Sequence, residues 1–331
     1  MKGNRMTKPL VSVAIAYHNA EEYLKRCVKS VLEQTYSKLE VLLIDNLSND
    51  QSNEIAKSLA KQDSRIHLLS CTELGLAQTR NFTLQAFKGD YLTFVDSDDT
   101  LLPQAIERMV ETALERKADL ICASYCTKLW GKEKIRRSNV LPSFESDKKE
   151  KIHAFFLNEA RGMNHSWGKL YAREVIKDIA FPTNKLYEDI AVLPEILQRT
   201  ERVVSIQEPL YVQTLRKESL SYGRDMKRQT DGLSARLENA SFYRENYPSL
   251  TKDAYDCALE FAFYLLGRGF VAGQKKETPE ISFVIESVRS FRGEAARKGF
   301  PMKVALVLFR ISPAFAGTCF ALYSRIKNGV V

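Results

Sequence analysis

Apolar and polar positions alternate in blocks along the first third of the chain. "LVSVAIA" (10–16) is an unbroken apolar run with β-branched residues, the pattern of a strand buried on both faces. In "NAEEYLKRCVKSVLEQ" (19–34), Tyr23, Leu24, Cys27, Val28, Val31 and Leu32 recur at helical spacing, and Asn19 is a candidate N-cap. The alternation then repeats, with strands predicted at 39–45, 65–70, 90–96 and 118–126 and helices at 48–62, 75–87 and 102–117. Ser48 and Asp50 are candidate caps of the second helix. Strands and helices in this order predict an α/β fold with a doubly wound, mostly parallel, Rossmann-like sheet. Ligands bind such sheets beyond the carboxyl ends of the strands. The polar punctuation falls there: "YHN" after the first strand, "DNLSND" after the second, "DSDD" after the fourth.

The pattern changes further along. Residues 131–150 are charged and poorly periodic, and read as a mobile loop or a break in the sheet. "MNHSWGKLYAREVI" (163–176) and "YEDIAVLPEILQRT" (187–200) are mixed, and from about residue 222 the periodicity is helical throughout. The stretch 301–331 holds four basic residues, no acid and many bulky apolar ones. A transmembrane helix needs ~20 mostly apolar residues, and Arg310 and Pro313 interrupt this run. It reads either as a helix in the membrane interface over 301–327 or as a helix packed on the protein.

Composition narrows the picture only a little. With 44% hydrophobic and 27% charged residues in 331, the chain has core enough to fold, and disorder is excluded. The net charge of +8 is compatible with a phosphorylated substrate or an anionic membrane surface. Basic residues are dispersed without aromatic interleaving, so nucleic acid is not an expected partner. Cys27, Cys71, Cys122, Cys126, Cys257 and Cys319 lack zinc spacing and read as reduced thiols. The first residues, "MKGNRMTKP", lack the apolar core of a signal peptide, so a cytoplasmic location is expected.

The chemistry concentrates in "YLTFVDSDDTLLP" (91–103), which sets Asp96, Asp98 and Asp99 within four positions at a strand's carboxyl end. Like charges this close repel unless something positive sits among them. A hard divalent cation, Mn²⁺ or Mg²⁺, suits oxygen ligands of this kind. Helix capping near Pro103 is the plainer reading, but it needs one Asp and leaves two unexplained. "FVDSDDT" also loosely matches a haloacid-dehalogenase-type phosphatase, with Asp96 as nucleophile and Asp98 as general acid. That family places the motif on its first strand and needs later motifs absent here.

A longer resemblance exists. The opening "VSVAIAYHNAEEYLKRCVKSVLEQTYSKLEVLLIDNLSNDQS", then "GLAQTRN", "KGDYLTFVDSDDTLLP" and "YEDIAVLPEIL", in that order and spacing, resembles the inverting family 2 glycosyltransferases of GT-A type. The likeness covers about residues 9–221. It implies a GT-A-like domain with a donor half (9–126) and an acceptor half (127–221), followed by a helical region (222–331). The implied reaction moves a sugar from a nucleotide-diphosphate sugar, a UDP-sugar first among them, to a hydroxyl of a growing glycan, with inversion. Lipid-linked precursors of bacterial surface polysaccharide are the common acceptors.

The resemblance assigns roles by position. Ala16, Tyr17, His18 and Asn19 would line the base pocket, although Ala16 and His18 stand where the family usually has Pro and Tyr. Asp45 and Asn46 would meet the base edge, Asn46 replacing the usual Asp. Arg80 would lie near the nucleotide, with a surface ion pair as its other reading; Asn81 is a weaker candidate. Asp96 would contact the ribose beside Ser97, Asp98 the metal, with Asp99 in support. Asp189 of "YEDI" would be the general base, next to Glu188, and Arg216 would join the cation in stabilising the leaving diphosphate. Helix N-terminal charge is the plainer account of Glu188 and Asp189. Trp167 is either a platform for a sugar ring or a core residue. A non-catalytic nucleotide-sugar- or glycan-binding protein on the same fold is the alternative reading of the whole.

Overall fold

The unbroken apolar runs become the middle of one sheet. In the computed structural model, which describes residues 8–183, 185–216, 226–291 and 300–327, strand β1 (Val11–Tyr17) leads to helix α1 (Leu24–Leu32), β2 (Leu39–Asp45), α2 (Ser52–Gln62), β3 (Ile66–Ser70), α3 (Leu76–Ala86) and β4 (Tyr91–Phe94). Next come β5 (Thr100–Leu101), α4 (Ala105–Arg116), β6 (Leu120–Leu129), β7 (Ile135–Asn139), β8 (Glu145–Ser146) and α5 (Lys149–Asn158). Then follow β9 (Lys169–Ala172), α6 (Arg173–Ile176), α7 (Glu188–Arg199) and β10 (Val203–Leu215). The remaining described residues are helical: α8 (Met226–Asn246), α9 (Thr251–Val271), α10 (Pro279–Phe291), α11 (Phe300–Ile311) and α12 (Pro313–Lys327), with a short 3₁₀ turn before α9.

The sheet order is β3-β2-β1-β4-β9-β6-β10-β5, with β7 on β6 and β8 on β10. The long pairings, β1 with β2 and β10 with β6, are parallel, whereas the antiparallel ones, those of β5, β7, β8 and β9, are short. The expected mostly parallel α/β sheet is therefore present, with mixed strands on one side. Residues 131–150 differ from the expectation of a loop. Their charged stretch contributes β7 and β8, whose exposed residues tolerate charge. Helix α1 also begins five residues later than Asn19, which adopts φ +48 in the turn ahead of it. An Asn tolerates that left-handed backbone better than most residues.

The chain divides into two units, one of residues 1–152, 164–183 and 195–222, the other of 153–163, 184–194 and 223–331. The core of the first joins α1, α2 and α4 to the strands through Val13, Ile15, Leu24, Val28, Leu43 and Ile106. Buried Glu40 and Ser12 pair locally: Glu40 accepts from Ser12 and from the Lys88 N–H at 2.6 Å, and Ser12 accepts from the Gly89 N–H at 2.8 Å. The second unit packs α8, α10 and α12 around α9. Helices α9 and α12 cross at a glycine pair. A Cβ on Gly317 would stand 2.7 Å from the Gly267 nitrogen and 2.6 Å from the Leu266 Cβ. Gly317→Ala should therefore cost about 1–3 kcal/mol through overpacking, read as a lowered melting temperature in calorimetry, with the first unit's ligand binding intact.

Candidate active site

Parallel register brings three strand ends to one edge. Tyr17 stands opposite Asp45 and Ala14 opposite Phe94, so His18, Asn46 and Asp96 follow at neighbouring carboxyl ends. The Asn46 N–H donates to the Tyr17 carbonyl (2.8 Å), and the Val95 N–H to the Ala14 carbonyl (2.9 Å).

The residues 96–99 form a turn closed by the Asp99 N–H donating to the Asp96 carbonyl at 3.0 Å. It is pinned at both ends, by β4 entering and by β5 leaving, where Thr100 and Leu101 pair with Val212 and Tyr211 of β10. One carboxylate oxygen from each of Asp96, Asp98 and Asp99 lies within 4.8 Å of the others. Asp96 and Asp98 are half-buried, while Asp99 is 2% exposed.

The three are held differently. Asp99 accepts from the Tyr211 hydroxyl (2.7 Å) and from the Thr214 N–H (2.6 Å), so both oxygens fasten the turn to β10. Burial first, then the neighbouring Asp96 and Asp98, push the Asp99 carboxyl well above the usual carboxylate range. Burial and Asp99 likewise push the Tyr211 phenol up. Asp98 carries an ion pair with Arg216, whose Nε donates at 2.7 Å and whose Nη2 lies 2.6 Å away. The Arg216 guanidinium also donates to the Tyr23 hydroxyl at 2.8 Å and lies 4.3 Å from that ring's centroid. Arg26 of α1 donates to the Asp98 carbonyl (2.5 Å) and the Thr214 hydroxyl (3.0 Å), with its guanidinium 4.7 Å from the Trp130 ring. Arg216 thus brings positive charge to the Asp98 carboxylate, and Arg26 meets the same turn through its backbone.

A hard divalent cation fits this donor set. Asp96 and Asp98 offer carboxylate oxygens at an accessible turn, and oxygen is the donor such cations prefer. Asp99 is already committed to β10.

The residues expected around a base divide into two groups. His18 is exposed at the edge, its Nδ1 2.7 Å from the Asn46 carbonyl oxygen. Asn19 is also exposed, accepting from the Asn49 N–H at 2.9 Å. Asn46 turns inward: its oxygen accepts from the Gly75 N–H (2.8 Å) and its amide donates to the Glu73 carbonyl (2.7 Å), which fastens the loop ahead of α3. Tyr17 points into the core and donates to Asn53 (2.9 Å), which donates in turn to Asp45 (3.2 Å). The other Asp45 oxygen accepts from the Ser48 N–H at 3.0 Å. Asp50 accepts from the Ser52 N–H at the start of α2, whereas the Ser48 hydroxyl accepts from the Asn19 N–H and caps nothing.

Arg80 is 4% exposed, between the rings of Phe94 (5.9 Å) and Phe181 (5.5 Å), which removes the surface-ion-pair reading. Asn81 exchanges two hydrogen bonds with the Phe181 backbone and so serves the fold. Trp167 is 6% exposed and stacks on Tyr211 (4.4 Å) and His165 (3.2 Å). Its indole offers no open platform for a sugar; it braces the tyrosine that holds Asp99. In the second unit, Glu188 and Asp189 occupy the first turn of α7. Tyr187, at φ +63, anchors them by donating to Gln229 (2.6 Å), and its ring meets Gly232, where a Cβ would come within 2.9 Å.

Arg26 and Tyr23 were not legible as site residues. Their only signal is three-residue spacing on one helix face; their partners lie 72 to 193 positions away.

A sequence model of the family described as "Glycosyl transferase family 2" matches residues 12–180. The chain is 30% identical over 249 residues to a protein named putative glycosyltransferase EpsH from Bacillus subtilis, covering 73% of this chain and 71% of that one. Among solved structures it is similar to S. aureus TarS 1–349 in complex with UDP-GlcNAc (TM-score 0.65, 16% identity, 96% of this chain and 92% of that chain). It is similar also to the mannosyltransferase PcManGT from Pyrobaculum calidifontis in complex with GDP-Man and Mn²⁺ (TM-score 0.57, 16% identity, 96% and 85%). At this identity the two structures speak for the fold.

Tyr211→Phe should unfasten Asp99 and leave the Asp96 N–H without its acceptor. The expected cost is about 1–3 kcal/mol, measured by urea denaturation, with the midpoint lowered and the slope unchanged.

Proposed function

The chain belongs to glycosyl transferase family 2 and is a glycosyltransferase; within that class we propose a nucleotide-sugar donor, a UDP-sugar first, inversion at the anomeric carbon, and a hydroxyl of a growing glycan as acceptor. A lipid-linked precursor of a surface polysaccharide is the acceptor class we assign. The phosphatase reading of the same acidic motif falls with family membership. The observation that carries the proposal is the pinned acidic turn at the end of β4 with Arg216 seated on Asp98.

Asp98, with Asp96 beside it, would hold Mn²⁺ or Mg²⁺, and the cation when bound would neutralise the diphosphate as it departs. The choice of donor follows TarS, solved with UDP-GlcNAc, over PcManGT, solved with GDP-Man, and the choice of ion follows the Mn²⁺ of PcManGT. Asp96 and Ser97 would take the ribose side. His18 would face the base, with Ala16, Tyr17, Asn19, Asp45 and Asn46 shaping the pocket behind it, and Arg80 would add positive potential beneath the nucleotide. Arg216 would exchange Asp98 for the diphosphate, bringing a fixed positive charge to the bond that breaks. The acceptor oxygen attacks the anomeric carbon, and the bond to the diphosphate oxygen breaks with its electron pair leaving on the diphosphate. The proton of the acceptor hydroxyl passes to the Asp189 carboxylate, with Glu188 in support.

A screen of nucleotide sugars with the purified protein and Mn²⁺, read as nucleotide release, should single out a UDP-sugar. Asp189→Asn should lower turnover by about 10²–10⁴-fold while Mn²⁺-dependent UDP binding persists in calorimetry. Asp98→Ala should lose that binding. Unchanged turnover in both variants contradicts the roles assigned to Asp189 and Asp98.

A further inference from the structure

Helices α11 and α12 bury one face and leave another without a partner among the described residues. Ala305, Phe309 and Ala316 point into the second unit's core, and Phe309 packs edge-on against Phe263 at 5.9 Å. On the other side, Val304, Val307 and Ile311 recur at i, i+3 and i+7, one stripe of α11. Phe315 and Leu322, seven apart, form the matching stripe of α12. These are large and well exposed: Val307 59%, Ile311 77%, Phe315 56% and Leu322 60%. Soluble surfaces seldom gather that much apolar area without a use for it.

The charge beside the stripe selects the occupant. Lys303 and Arg310, also seven apart and exposed, run along one edge of it. Residues 300–327 contain no Asp or Glu, and the two acids that share a hollow with Arg310, Glu277 and Glu286, are matched there by Lys276 and Arg289, so the edge stays net positive. A second copy of this chain, docked face to face about a two-fold axis, would bring a basic edge against a basic edge. A bilayer surface carrying anionic headgroups meets both features, apolar side chains entering the acyl boundary and cations at headgroup level.

Length fixes the mode. Helix α11 has 12 residues, about 18 Å at ~1.5 Å per residue, short of the ~30 Å hydrocarbon core. No helix among the described residues is long and apolar enough to cross a membrane. Ser312 accepts from the Phe315 N–H at 3.3 Å with Pro313 beginning α12, so the break between the helices is a capped turn.

We propose that the exposed stripe of α11 and α12 with Lys303 and Arg310 is a docking face for an anionic lipid bilayer, on which the helix pair lies in the interface plane. It stands on this face alone and not on the transfer chemistry, so its test involves no transfer assay.

The test is flotation of the full-length protein with vesicles of phosphatidylcholine alone or with added phosphatidylglycerol. The wild type should float with the anionic vesicles, less so in high salt, and remain at the bottom with the neutral ones. Ile311→Glu/Phe315→Glu should lose flotation with its melting temperature unchanged. Lys303→Gln/Arg310→Gln should weaken partitioning by roughly thirty-fold, two basic side chains' worth of surface attraction. Phe315→Trp supplies a gain of signal, its indole emission moving to shorter wavelength with anionic vesicles. No flotation of the wild type, equal flotation of the Glu variant, or an unshifted indole emission from the Phe315→Trp variant overturns the proposal. So does a concentration-dependent dimer, without flotation, that the Glu variant dissociates.

Discussion

Three carboxylates confined to one turn repel one another, and the site is organised around containing that repulsion. At separations within 4.8 Å and an effective dielectric near 20, each like-charged pair costs at least on the order of 3 kcal/mol. The turn survives because its charges are dealt with separately. Asp99 is buried, and burial with its acidic neighbours pushes its carboxyl up, while a phenol and a backbone amide donate to its two oxygens and hold them. Asp98 is neutralised by Arg216, and Arg26 adds a second positive charge from beneath. Asp96 remains half-buried at the sheet edge. Three identical side chains thereby acquire three environments, which a single metal-ligand role for all of them would not require.

The scaffold explains why the turn can bear this load. Its entrance is the end of a strand in parallel register with β1, and its exit pairs at once with β10. Strand β10 supplies Tyr211, Thr214 and, just beyond its end, Arg216, so one strand both anchors the turn and carries its counter-charge. Tyr23 holds Arg216 from the other side and meets Trp130 edge-on at 5.2 Å. Hydrogen bonds and an aromatic face together fix the position of the guanidinium.

The periodic part of this was legible in the sequence. β1, β2 and the helices α2 to α4 carry repeating apolar positions, and that repetition located them to within a few residues. Charged β7 and β8 were not legible, because their partners β6 and β10, not their own apolar content, hold them in the sheet. Among site residues, the acidic turn and Arg216 could be singled out by motif. Arg26 and Tyr23 could not, since only the fold brings α1 under a turn some 70 residues later in the chain. Trp167 and Arg80 show how exposure escapes a sequence reading. Polar-aromatic and basic residues look available in a sequence, yet both lie buried and brace neighbouring rings.

The central claim is that the acidic turn, relieved of Arg216, binds a divalent cation together with the donor's diphosphate. Electron paramagnetic resonance of Mn²⁺, with ³¹P resonance of added UDP, tests it directly. Uptake of Mn²⁺ should be weak alone and strong with UDP, both phosphorus lines should broaden, and Arg216→Met should tighten Mn²⁺ uptake in the absence of UDP. Binding of UDP with unbroadened phosphorus lines, or Mn²⁺ uptake indifferent to both UDP and Arg216, would contradict it.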